Sequence, residues 1–74
     1  MDANNLIKMA NKIGTFFESM PNRKQAIEDV ATHLKRFWDP RMRRAIIKAM
    51  DDKQDETMTD IVREAINTHR DLLA

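Results

Sequence analysis

Apolar residues return every three or four positions along this chain, in four separate runs. In the first, Leu6, Met9, Ala10, Ile13, Phe16, Phe17 and Met20 share one arc, with Lys8, Asn11, Lys12, Thr15, Glu18 and Ser19 opposite. At about 100° per residue this predicts an amphipathic helix over about 5–20. Asn4 or Asn5 is placed to cap it, and Pro21 to stop it. Gly14 lies one turn after Ala10, beside the arc. Glycine inside a helix costs about 1 kcal/mol relative to alanine, so its place there predicts close approach of another helix.

The second run predicts a helix over about 23–38. Asn22 is its N-cap, with Gln25 three residues on, and Ala26, Ile27, Val30, Ala31, Leu34, Phe37 and Trp38 share a face. His33 flanks that face, four residues after Asp29, where a carboxylate contact is within reach. In the third run, about 40–50, Asp39 suits an N-cap and Pro40 the first helical position, so the Trp-Asp-Pro sequence makes a sharp corner. Met42, Ala45, Ile46, Ala49 and Met50 form its apolar side, and Arg41, Arg44 and Lys48 a basic stripe. Arg43 and Ile47 lie between the two. The next residues, DDKQDET, have no period and predict a solvated acidic loop. Thr57 or Thr59 then caps a fourth helix over about 60–72, with Ile61, Val62, Ala65, Ile66, Leu72 and Leu73 on one face and His69 near its middle. The expectation is an all-α protein, one compact domain over 1–74 built from about four helices.

Composition agrees. Seventy-four residues are close to the size at which a single core is marginal, and with no cysteine neither disulfides nor thiolate metal sites can assist it. One glycine and two prolines are too few for a loop-rich or all-β fold. No run is long enough to span a membrane, and the first residues lack the order of a signal peptide, so a cytoplasmic protein with no membrane partner is expected. The net charge of +1 hides an asymmetry. Six basic residues against one acid fall within 35–48, and five acids against one base within 51–60. Either the basic block attracts an acidic partner or the two blocks neutralise each other.

The chemistry of catalysis is sparse. There is one serine, Ser19, on the polar side of the first helix, and the two histidines are far apart with no H-E-x-x-H spacing. The single glycine excludes a glycine-rich phosphate loop. No catalytic, cofactor-binding or metal-binding residues are assigned. Two binding readings remain. A small DNA-binding regulator would use helix 40–50 as its recognition helix, although the near-neutral charge argues against nucleic acid. A protein-interaction subunit would use Trp38, Arg41, Arg43, Arg44, Ile47 and Lys48, because Trp and Arg are the residues that most often dominate interface energies. On that reading Asp39-Pro40 makes the corner, Phe37 and Met42 anchor it in the core, and Trp38 with the arginines faces a larger partner.

Three segments, MANKIGTFFESMP (9–21), HLKRFWDPRMRR (33–44) and IVREAI (61–66), resemble the delta subunit of soluble NAD-dependent formate dehydrogenases. The Phe-Trp-x-Pro-x-Met-Arg element, here Phe37, Trp38, Pro40, Met42 and Arg43, is the specific part of the match. The resemblance implies a small accessory chain of a multi-subunit enzyme that aids assembly, cofactor insertion or stability. Its expected partner is the alpha subunit, within an alpha/beta/gamma complex. That complex is implied to carry molybdenum or tungsten bis-molybdopterin guanine dinucleotide, iron–sulfur clusters and FMN, and to use NAD. None of these is expected on this chain. A cofactor phosphate during maturation is an alternative target for the arginines, and weak self-association without the partner stays open.

Overall fold

The computed structural model describes residues 2–74, and their regular structure is entirely helical. The elements are α1 (Ala3–Glu18), α2 (Arg23–Phe37), α3 (Pro40–Asp51), α4 (Asp60–Thr68) and α5 (Arg70–Leu73). The all-α class follows the four periodic runs, with one change. The fourth run breaks at His69, whose φ of −117° and ψ of 33° leave the helical region. The break re-aims the last turn. Leu73 reaches the core at 1% exposure, while Leu72, expected on the same face, is left 40% exposed.

Local chemistry sets the helix starts. Asp2, not Asn4 or Asn5, caps α1, its Oδ1 accepting from the Asn4 N–H at 3.0 Å. A carboxylate there also complements the positive end of the helix dipole. Asn22 caps α2 through the Gln25 N–H at 3.1 Å, but the Gln25 side chain turns to Asp29 at 2.9 Å, so only half of a capping box forms. Asp39 caps α3 as predicted, accepting from the N–H groups of Arg41 at 2.8 Å and Met42 at 3.0 Å, with Pro40 in the first turn. Because Asp39 precedes a proline it is held extended, with ψ at 163°. The chain therefore turns away from α2, and α3 packs against α1 and α5.

Helices α1, α2 and α4 pack against one another in pairs. Leu6, Ile7 and Ala10 of α1, Ala26, Val30 and Leu34 of α2, and Ile61, Val62, Ala65 and Ile66 of α4 form the centre of the core. Gly14 is a point of close approach between α1 and α4. A β-carbon there would lie 2.8 Å from Val62 Cγ2 and 2.9 Å from Ile61 Cγ2. One turn earlier, Asn11 ties α1 to the entry of α4. Its Nδ2 donates to the Thr57 carbonyl at 2.9 Å, and its Oδ1 accepts from the Thr59 N–H at 3.0 Å. Thr59 stands at the N-cap position of α4 but its side chain makes no capping bond; Asn11 holds the backbone N–H of Thr59 itself across the interface.

The acidic segment is less free than its composition implies. Asp51 ends α3 and pairs with Arg70 at 2.8 Å, Asp52 pairs with Lys48 at 2.6 Å, and Asp55 with Arg63 at 3.0 Å. Only Lys48 of the basic block takes part, so the two blocks do not neutralise each other by direct pairing. No helix among the described residues is long and apolar enough to cross a membrane.

Candidate protein-interaction surface

Large apolar side chains belong inside a domain of this size, because burying one contributes about 1.5–3 kcal/mol. Phe16 at 75% exposure and Phe37 at 69% depart from that rule. The end of α1 and the end of α2 bring them to one face. The Phe16 ring meets Phe17 edge-on, centroids 5.0 Å apart at 87°. Phe17 in turn lies 6.3 Å from the His33 ring, and His33 lies 4.7 Å from Phe37. Four rings thus form a ladder across the α1–α2 seam.

Two shallow clefts open on the ladder. One, of about 350 Å³, is lined by Lys12, Ile13, Phe16, Phe17 and His33. The other, of about 240 Å³, is lined by Phe17, Asp29, Thr32, His33, Arg36 and Phe37. Phe17 and His33 are the wall they share. Met9, 39% exposed, continues the apolar stripe along α1 one turn before Ile13. Lys12 and Arg36 at the rims make no ion pair among the described residues. His33 contacts rings, and the Asp29 carboxylate expected beside it accepts from Gln25 instead. The face is therefore apolar and aromatic in the middle, with Lys12, Arg36 and the Gln25-bound Asp29 carboxylate at its edges. A larger cleft of about 480 Å³, between the start of α1 and residues 53–57, is walled by exposed polar side chains such as Asp2, Lys53 and Glu56.

The residues predicted to contact a partner do not form one surface. Trp38 is 6% exposed and belongs to the core cluster, and Arg43 is 7% exposed. Ile47 is half-buried against the core. Lys48 is exposed but engaged, its ammonium held above its ordinary range by the hydrogen bond to Asp52. Arg41 and Arg44 are exposed cations of α3 that make no ion pair among the described residues. Phe37, expected in the core, is thus exposed, and Trp38, expected at the surface, is buried. Phe37 is the last helical residue of α2 and follows His33 by one turn, at the edge of the buried face. Trp38 has already left the helix, with φ −94° and ψ 139°, and the extended backbone turns its side chain off the helical period into the core.

Sequence reasoning missed the ladder because every member was read as core or as its boundary. One signal was available. Phe16, Met9, Ile13, Leu6, Phe17, Ala10, Gly14 and Ile7 cover about 180° of α1, wider than the stripe of about 100° that one buried face requires.

Among the described residues, no three His, Asp or Glu side chains gather as a metal site would need. The family model described as NADH-dependant formate dehydrogenase delta subunit FdsD matches residues 5–66. No curated protein and no solved structure matches the chain.

Proposed function

Since the chain belongs to the NADH-dependent formate dehydrogenase delta subunit family, we propose that it acts as a non-catalytic accessory subunit that docks on the catalytic alpha subunit through the aromatic ladder of α1 and α2. In that role it aids assembly, cofactor insertion or stability of the cytoplasmic holoenzyme. The observation that carries this reading is the pair of exposed phenylalanines, Phe16 and Phe37, joined through Phe17 and His33. An aromatic cluster with unpaired cations at its rim suits a partner surface that is apolar in the centre and acidic around it.

The molybdenum or tungsten pterin, the iron–sulfur clusters, FMN and NAD belong, on this reading, to the alpha, beta and gamma subunits. With no cysteine, this chain offers no thiolate to hold an iron–sulfur cluster. Its contribution is surface. Burying each of the two phenylalanines at an interface would contribute about 1.5–3 kcal/mol.

Capture by a tagged alpha subunit tests the proposal. The double variant Phe16→Ser with Phe37→Ser should lose capture while it stays folded, its stability lowered by no more than about 2 kcal/mol, because both side chains are already exposed and lose only one ring contact each. Capture at the parent level would remove the ladder from the interface. Loss of self-association by the variant, with capture unchanged, would assign the face to contact between copies.

A further inference from the structure

Arg43 is 7% exposed, and its Nε and Nη1 are enclosed with no hydrogen-bond partner. A guanidinium withdrawn from water without a carboxylate or carbonyl to replace the lost hydration is costly to the fold. The acids of this chain do not relieve it. Asp39, one helical turn earlier, directs Oδ1 to the backbone N–H groups of Arg41 and Met42. Asp51, Asp52 and Asp55 pair with Arg70, Lys48 and Arg63. Among the described residues Arg43 makes no ion pair at all. The residue still keeps 7% of its surface open, so the side chain is not sealed off from outside.

An arginine retained under these conditions is explained when its counterion arrives from outside. We infer that Arg43 is a receptor for a carboxylate of the alpha subunit, which seats at the open part of this side chain and supplies the counterion that the described residues lack. The inference rests on the docking reading above but not on the aromatic ladder, since Arg43 lies on α3 beside Ile46, Ile47 and Met50. It also gives the chain a reason to be more stable when bound than alone. Docking would convert an uncompensated buried cation into a charge-assisted hydrogen bond, which Arg forms with carboxylates better than Lys does.

The experiment pairs stability of the full chain with capture by the tagged alpha subunit, using Arg43→Met. If the charge is uncompensated in the free chain, an apolar side chain of similar length raises Tm by about 5 °C. The same variant should bind the alpha subunit at least about tenfold more weakly, as removal of a buried charge-assisted contact does. A Tm that is unchanged or lowered overturns the inference, because the guanidinium would then be satisfied within the chain. Undiminished capture overturns it as well. Millimolar acetate or phosphate should leave the wild-type melt unmoved. A rise seen with wild type and absent from Arg43→Met would identify a small-anion site instead of a partner's carboxylate. Failure of wild type itself to be captured would sink the docking reading and this inference together, whereas capture of both proteins alike sinks the inference alone.

Discussion

On one side of α1, Gly14 admits Ile61 and Val62 of α4 so closely that a single added carbon would lie 2.8 Å from its neighbour. On the other side of the same helix, two residues further on, Phe16 stands 75% exposed. Both sides read as apolar by period. The first was closed with the smallest residue and pinned by the paired hydrogen bonds of Asn11. The second carries one of the chain's largest side chains, which touches the edge of Phe17 and is otherwise left open. In a chain of 74 residues, where burial is scarce, apolar area left outside is a cost to the monomer and material for an interface.

The contrast is sharpest between adjacent residues at the end of α2. Trp38→Ala should cost about 3–5 kcal/mol, the range for emptying a buried aromatic site. Phe37→Ala should cost no more than about 1 kcal/mol, the value of its contact with His33. Urea unfolding of the two variants measures both. Equal losses would break the division between packed and open sides.

Gly14→Ala probes the packed side more gently. Alanine gains up to about 1 kcal/mol of helix propensity. The methyl groups it would meet belong to β-branched side chains with little freedom to rotate away, and overpacking of this kind costs about 1–3 kcal/mol. A net loss of about 1 kcal/mol in the same urea experiment is expected. A gain would show that α1 and α4 have room to part.

The smallest effect concerns the rim of the packed side, where the hydrogen bond from Arg70 holds the Asp51 carboxyl below its ordinary range. A carboxyl lowered in the folded state stabilises the fold above its unfolded pKa. That contribution is lost as pH falls through the lowered folded value. Stability measured across the acid range should therefore fall slightly less in Asp51→Asn than in the parent. The difference should be small because the pair is solvated and open to salt screening. Identical acid limbs would remove the pair from the stability of the α3–α5 contact.

The family was legible because elements such as Phe37-Trp38-Asp39-Pro40 are runs of adjacent residues, and residues 5–66, matched by the family model, contain the segments 9–21, 33–44 and 61–66. The candidate site was much less legible. Of the six residues expected at an interface, Trp38 and Arg43 are inside, Ile47 is half inside and Lys48 is paired, leaving Arg41 and Arg44 open. The ladder, in contrast, joins residues that are up to 21 positions apart in sequence, from Phe16 to Phe37.

What the sequence determined by itself is what depends on nearest neighbours along the chain. Helix period, the caps at Asn22 and Asp39, the Pro40 corner and the small residue at the α1–α4 crossing all follow from interactions within a few residues or from the size of a side chain. Tertiary structure alone decided which part of a wide apolar arc was covered, which of Phe37 and Trp38 turned inward, and whether Arg43 found a counterion. Those outcomes depend on where a second helix lies. A period of 3.6 residues fixes the direction of a side chain relative to its own helix axis, but not what stands in that direction.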